Sequence, residues 1–448
     1  MATDLTDNSV INDIELKEAQ IRVMAGYDTV TGEMKEVWIN SNGAISTAYW
    51  DGATLDAFGR LRVSNPQTLL DLKQTRDNLP LFYDDAETSG WSTTSTYQTN
   101  KASTRIAVAE TTAGTRVRQS KLWGNYQPWK SQLIFITFAN SESVSGITKT
   151  VWYFWDNWGI YHKHEDGTAK VGIRTYNTWS PVDWDIAQTS WNIDKMDGTW
   201  ASWITLDFTK DQILLIDFEW LWVWRVRVGW VVDGCVHYCH EFNHANVLDE
   251  VYMSNPNAPI RYEISNDWTW AADTFDCICA SIISEWWQEQ TAINTWASRD
   301  GTPITLANQD LWTPLVSLRL KSDARCTRVK AEDISVILTS TTNYEWGLFL
   351  NPTIAGTDAA SFADITNSAL QKDVTRNNTN TLSWWYQIAG WYWSSTNQWK
   401  TSARGKADSF LTIWSNIDGT MDELVLAVKN IDANWWTAYG WINMSEYC

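Results

Sequence analysis

From about residue 56 onward, short runs of alternating apolar and polar residues follow one another along the chain. They are rich in Ile, Val, Phe and Tyr and lie between turn-forming residues, which is typical of half-buried β-strands. Examples are TRIAVAE (104–110), SQLIFITFA (131–139), ITLDFT (204–209) and ILLIDFEW (213–220). No long segment has the period of an amphipathic helix. We therefore predict an all-β protein of tandem antiparallel β-sandwich or jelly-roll domains, preceded by an extended N-terminal arm.

The strand pattern is interrupted at two places, and these interruptions give the predicted domain boundaries. Residues 1–55 are polar and punctuated by glycine, which indicates an arm or adaptor and not a core-forming domain. The first series of strands occupies 56–290. A polar, less regular stretch then begins at about residue 286, and a second series of strands occupies 291–448 as a second sandwich.

The charge balance limits the partners that the protein is expected to have. The chain has 53 acidic and 34 basic residues and a net charge of -19. A polyanion is not attracted to phosphate backbones or anionic lipid, so we expect neither a nucleic acid nor a membrane as a partner. The N-terminus has no secretory pattern, and six cysteines are too few for a disulfide framework, so we expect synthesis in a reducing cytoplasm.

Tryptophan is unusually frequent, with 33 residues against 22 glycines. Several tryptophans stand where turns normally need glycine. In YQPWKSQ, for example, Pro128-Trp129 occupies the central pair of a predicted type II turn, whose second residue needs a positive φ. We therefore hypothesise that many of these positions are glycine in the ancestral protein and that a UGA codon read as glycine in the source is written here as tryptophan. The alternative is a Trp-rich binding surface.

The segment GWVVDGCVHYCHEFNH (229–244) contains the letters of the H-E-x-x-H zinc motif at His240 and His244. However, Asp233-Gly234 lies between two alternating runs, which predicts a β-hairpin. On a strand, residues four apart are separated by about 13 Å, too far for two histidines to bind one zinc ion. We expect no metal site and no cofactor.

Asp217 and Glu219 alternate onto one face of the strand ILLIDFEW. This pattern resembles the acidic strand of jelly-roll glycoside hydrolases that act on β-glucans. Those enzymes have a third carboxylate two residues earlier, as the nucleophile, and Leu215 occupies that position here. A hydrolase that uses Glu219 is therefore the less favoured alternative. We expect a structural pair at a sheet edge and no enzymatic activity.

Two aromatic clusters, at 152–161 and 384–393, contain indoles suited to stacking on sugar rings. For strand-rich aromatic runs, core packing or subunit contact is the commoner explanation. The candidate glycan-binding residues are Trp155, Trp158, Trp391 and Trp393.

Four longer segments resemble uncharacterised structural proteins of tailed phages and of some large viruses: DAFGRLRVSNPQTLLD (56–71), YQPWKSQLIFITF (126–138), residues 191–230 and YMSNPNAPIRYEI (252–264). Where this chain departs from the resemblance, it mostly has Trp for an expected Gly, at Trp129, Trp200, Trp203, Trp222, Trp224, Trp286 and Trp287.

The resemblance implies a lectin-like jelly roll over 56–290 and a protein of the virion: a capsid decoration, minor capsid or tail-fibre component. It also implies self-association as a homo-oligomer, with a trimer expected for a fibre or decoration protein, and contacts with other capsid or tail proteins. The alternative is a receptor-binding module of a tail fibre that contacts a host surface glycan.

Overall fold

The computed structural model describes residues 22–27, 34–39, 45–46, 66–140, 144–199, 201–267, 271–285, 291–306, 310–339, 343–383, 386–394, 405–406, 413–432 and 436–447. Within these ranges every strand pairing is antiparallel, and the one helical element is a 3-10 turn at Gln188–Ser190. The predicted all-β class is therefore confirmed. No helix in this part of the chain is long and apolar enough to cross a membrane.

The chain divides into two compact units, Met1–Leu61 and Arg62–Cys448. In the first unit, three strands form an antiparallel sheet in sequential order: β1 (Arg22–Tyr27), β2 (Met34–Ile39) and β3 (Ile45–Ser46).

The second unit begins with a sandwich of two sheets. Its strands are β4 (Gln67–Lys73), β5 (Tyr83–Ser89), β6 (Thr94–Gln98), β7 (Ser103–Val108), β8 (Gly114–Trp123), β9 (Gln132–Asn140), β10 (Ile147–Trp155), β11 (Trp158–Glu165), β12 (Thr168–Thr175), β13 (Val182–Ala187), β14 (Asp211–Phe218), β15 (Val226–Val232), β16 (Cys235–Phe242), β17 (Pro259–Asn266) and β18 (Asp273–Ser284). One sheet has the order β13-β12-β11-β10-β17-β8-β5. The other has the order β16-β15-β14-β9-β18-β7-β6, with β4 paired to β18.

The core of this sandwich follows from the period-2 pattern of its strands. Along β9, buried positions alternate with partly exposed ones, and Ile134, Ile136 and Phe138 are fully buried. They pack in one cluster with residues of the opposite sheet such as Val151 and Tyr262. The two sheets therefore enclose a single apolar core.

The predicted strand ITLDFT (204–209) is wrong. Thr205 forms an isolated bridge with Asp197, and the residues after it turn. The Asp207 carboxylate accepts hydrogen bonds from the backbone N–H and the hydroxyl of Thr209, at 3.0 and 2.6 Å. An Asp side chain that binds the backbone two residues later stabilises a turn, and this overrides the alternating pattern.

A second sandwich follows in the same unit. Its strands are β19 (Ile293–Ser298), β20 (Ile304–Leu306), β21 (Trp312–Leu320), β22 (Arg328–Leu338), β23 (Asn343–Leu350), β24 (Thr353–Ala355), β25 (Ala363–Asp364), β26 (Leu370–Asp373), β27 (Thr381–Ser383), β28 (Tyr386–Ser394), β29 (Gly405–Lys406), β30 (Leu424–Asn430) and β31 (Trp436–Tyr447). The sheet β19-β31-β22-β29, with β20 paired to β31, packs on the sheet β25-β26-β21-β30-β23-β28, while β24 pairs with β27.

The segment before β30 joins the second sandwich to the first. Trp414 is buried in the hydrophobic core of the first sandwich. The backbone N–H of Ile417 donates to Asp84 at 2.6 Å, and Lys121 lies 3.8 Å from the buried carboxylate of Asp422. The segment from Trp414 to Asp422 therefore contacts both sandwiches.

Candidate functional site

Two of the four predicted glycan-binding tryptophans lie at the end of the β10–β11 hairpin, where Trp155 and Trp158 pair with each other. Trp155 is buried, and its ring centroid lies 4.9 Å from that of Trp123. The Trp158 indole N–H donates to the Asn257 carbonyl at 3.2 Å. These indoles therefore belong to a packed cluster.

The other two predicted tryptophans lie on β28, an edge strand of its sheet. Trp391 is 66% exposed and pairs with Trp346 of β23. Trp393 pairs with Tyr344, but its side chain lies outside the described residues. Trp391 is thus the predicted residue that the structure places at the surface.

The predicted hairpin of the HEFNH segment is confirmed. Val232 pairs with Cys235, and Asp233 and Gly234 between them have φ values of 51° and 77°. Two consecutive positive φ values define the type I′ turn that Asp-Gly favours. The sequence around His240 is strand and not helix, so it lacks the geometry of the zinc motif.

The two histidines of that segment contact different groups. His240 Nδ1 accepts the backbone N–H of Asn192 at 3.2 Å. The His244 ring stacks on Tyr252 with centroids 4.2 Å apart, and its Nδ1 lies 2.6 Å from the Trp224 carbonyl. Burial lowers the pKa of His240 to about 4 and also lowers the pKa of His244. Both rings are packed in the sandwich.

The acidic pair Asp217 and Glu219 is fully buried. Asp217 forms an ion pair with the fully buried Arg227 and also accepts hydrogen bonds from the Tyr238 hydroxyl at 2.7 Å and the Ser131 hydroxyl at 3.1 Å. The predicted position at a sheet edge is wrong, because β14 lies between β15 and β9. The long apolar run around Asp217 reflects a strand buried on both faces.

Five exposed tryptophans lie in turns with left-handed backbone. Their φ values run from 62° to 88° and their exposed fractions from 58% to 97%; they are Trp91, Trp129, Trp179, Trp203 and Trp222. Among the described residues, Trp is the most frequent non-glycine type with positive φ, ahead of Asp. The predicted turn at Pro128-Trp129 is present, with the Lys130 N–H bonded to the Gln127 carbonyl at 3.2 Å.

These five residues are poorly suited to be a binding platform. A bulky side chain is strained where the backbone is left-handed. The backbone of these turns therefore has a conformation that suits glycine and not tryptophan. Trp129, Trp203 and Trp222 were expected from the sequence to replace glycine, whereas Trp91 and Trp179 are additional. Trp224 lacks a positive φ, and Trp200, Trp286 and Trp287 lie outside the described residues.

A different pair of indoles lies on the outer face of the second sandwich. Trp296 of β19 and Trp441 of β31 stack with centroids 4.4 Å apart and planes at 10°. Each remains substantially exposed, at 49% and 38%. The Trp441 indole N–H donates to the Asn443 side-chain oxygen at 2.6 Å, which fixes the ring of Trp441.

The indole pair lies beside two adjacent cavities. Trp441 lines the larger, of about 680 Å³, and Trp296 lines the smaller, of about 420 Å³. Asp333 of β22 and Asn443 line both. Both volumes fall in the range of small-molecule sites. We call this region the β22–β31 groove; Ser335 and Tyr439 also line its larger cavity and Glu332 and Asn294 its smaller one.

No short sequence pattern predicts the β22–β31 groove. Trp296 and Trp441 are far apart in sequence and lie outside both aromatic clusters. They meet because β31 pairs with β19, with Ala297 opposite Ile442. The groove depends on strand register, which short-range patterns do not specify.

No protein-family profile matches the chain, and no curated protein matches it. Among solved structures, it is similar to a legume lectin-like domain from Entamoeba histolytica (11% identity, 48% of this chain and 95% of that chain, TM-score 0.30). It is also similar to winged bean acidic lectin (9%, 50% and 100%, 0.31) and to a Bacteroides ovatus mixed-linkage glucan GH16 protein in complex with a G4G4G3G product (8%, 48% and 99%, 0.33). At these identities and TM-scores, the likenesses assign neither a ligand nor a reaction to this chain.

Proposed function

We propose that the protein is a self-assembling structural component of a virus particle, as a capsid decoration, minor capsid or tail-fibre protein. The observation that carries this proposal is the set of segments that resemble virion proteins. They include β14 and most of β9 and β15, which are neighbours in one sheet, and much of β17 in the opposite sheet. The resemblance therefore covers strands that contribute to the core of the first sandwich.

The proposed mechanism is symmetric association through subunit surfaces. The N-terminal unit ties a subunit to its neighbour or to the shell, and the two sandwiches project. The strands bond within their own sheets, so the loops at the sandwich ends can vary without loss of the core. No reaction is part of this proposal, because Asp217 is bound to Arg227 and position 215 is leucine.

Light scattering during size-exclusion chromatography tests the assembly step. We expect a discrete homo-oligomer at micromolar concentration, with the mass of a trimer for a fibre or decoration protein. A monomer that also fails to bind purified particles would exclude this mode of action.

A second candidate function is glycan binding at the particle surface, and the β22–β31 groove favours it. Exposed indoles beside hydrogen-bonding side chains are suited to sugar rings, whose C–H faces pack on aromatic faces while their hydroxyls bond to polar groups. A glycan array tests this function: saturable binding to a defined set of saccharides is expected. The absence of binding across a broad array would leave only the structural role.

A further inference from the structure

We propose that the β22–β31 groove binds a neutral oligosaccharide across two adjacent subsites. This inference rests on the second candidate function and specifies the site and the chemical class of its ligand. Each subsite has one indole in its wall, Trp441 in the larger cavity and Trp296 in the smaller. Asp333 and Asn443 line both, so they can bond to hydroxyls of two neighbouring sugar residues.

The stacked geometry of the indoles supports ring binding. Because their planes differ by only 10°, the two rings cover each other on one face. The free face of each ring points away from the other, so each ring can pack on a separate sugar ring. The hydrogen bond from Trp441 to Asn443 holds one ring in place before a ligand arrives. A preorganised aromatic wall loses little side-chain entropy on binding.

The side chains that line the groove carry charges of both signs, and this balance favours a neutral saccharide over an acidic one. Asp333 lines both cavities, and Glu332 lines the smaller, with its carboxylate 3.8 Å from the ammonium group of Lys330. Arg299 supplies a positive charge to the larger cavity, but its guanidinium already donates to the carbonyls of Thr302, Leu315 and Arg376 at 3.1 to 3.2 Å. The whole chain carries a net charge of -19, which also repels uronates and sialylated chains.

The test is an array of neutral and acidic oligosaccharides, followed by titration calorimetry with the strongest neutral one. Trp441→Ala is expected to weaken binding roughly 30-fold, as truncation of a central aromatic residue does. Asp333→Asn keeps the size of the side chain and is expected to weaken binding as well. Trp179→Ala is the matched control, because it removes an exposed indole from a turn of the first sandwich, outside the groove.

The possible results separate the site from the function. Loss of binding in the Trp441 and Asp333 variants, with Trp179→Ala unchanged and all three variants equally stable, supports the groove. Unchanged affinity in the Trp441 and Asp333 variants would show that the groove is not the binding site and that the protein binds glycans elsewhere. A preference for acidic saccharides, or no binding by the unmodified protein, would also overturn the proposal, whereas particle assembly is measured independently.

An independent observation carries a second inference. We infer that the natural protein has glycine at positions 91, 129, 179, 203 and 222. All five positions have positive φ, and at all five the side chain extends into solvent. Glycine populates this region without strain, and its GGA codon differs from UGA by one base.

Reading the codons and sequencing peptides from source-derived particles tests this inference. We expect UGA at the five turn positions and peptides that contain glycine there. Positions 230 and 191, where the indoles are buried in the core, and positions 296 and 441 are expected to carry tryptophan. Tryptophan in the five turn peptides of the natural protein would overturn the inference.

Discussion

At the residue scale, the tryptophans with positive φ lead to an uncommon prediction: their substitution by glycine stabilises the protein. Trp129→Gly is expected to raise the free energy of unfolding by about 1 kcal/mol, because a non-glycine side chain is strained at positive φ. Trp391→Gly is the matched control: Trp391 has nearly the same exposure but lies in a strand, where glycine is expected to cost about 1 kcal/mol. Urea denaturation measures both, and destabilisation by Trp129→Gly would contradict the account.

A second residue-scale prediction concerns His162, which is packed among Phe138, Phe208 and Trp230. Burial lowers its pKa from 6.5 to about 3, so between these pH values the unfolded chain binds a proton that the folded protein does not. The stability contributed by neutral His162 is therefore complete above pH 6.5 and decreases by up to about 1.4 kcal/mol per pH unit below it.

Comparison of the unmodified protein with His162→Phe isolates this contribution. The difference between their unfolding free energies is expected to shift in favour of the variant as the pH falls from 6.5 to 4.5. Parallel stability curves over this interval would show that His162 does not titrate in this way.

At the element scale, sequence patterns predicted several long strands but not which strands become their neighbours in the sheet. Alternation located β9, β14 and β15, and Asp-Gly located the turn to β16, because these signals depend on neighbouring residues. The pattern did not predict the bonded turn at Asp207 or the central position of β14. Which strands become neighbours depends on long-range register, and this is why the stacked indoles of β19 and β31 were missed.

The position of β14 inside its sheet predicts a large cost for breaking its buried ion pair. Asp217→Asn is expected to lower the free energy of unfolding by about 3 kcal/mol or more, because it removes the carboxylate charge that pairs with the buried guanidinium of Arg227. Asp183→Asn removes the partner of Arg174 at a more exposed pair and is expected to cost less than about 1 kcal/mol. Chemical denaturation measures the free energy of unfolding of both variants. Equal losses of stability in the two variants would contradict the importance of the buried ion pair.

At the scale of the whole molecule, one segment of the second sandwich supplies a core residue to the first. Trp414→Ala is expected to lower the free energy of unfolding by about 3 to 5 kcal/mol, because it removes a large side chain buried in the core of the first sandwich. It is also expected to separate the thermal unfolding of the two sandwiches into two transitions. Tyr392→Ala, at an exposed position, is the control; if both variants retain the unmodified protein's calorimetric profile, the two sandwiches do not depend on Trp414 for their connection.

The proposed role as a virion structural protein is tested most directly by the location and copy number of the chain in purified particles, measured by cryo-electron microscopy together with quantitative peptide analysis. We expect many copies in symmetry-related positions, with two consecutive β-sandwiches resolved in each copy of the chain. A chain found only in infected cells and absent from particles would contradict it.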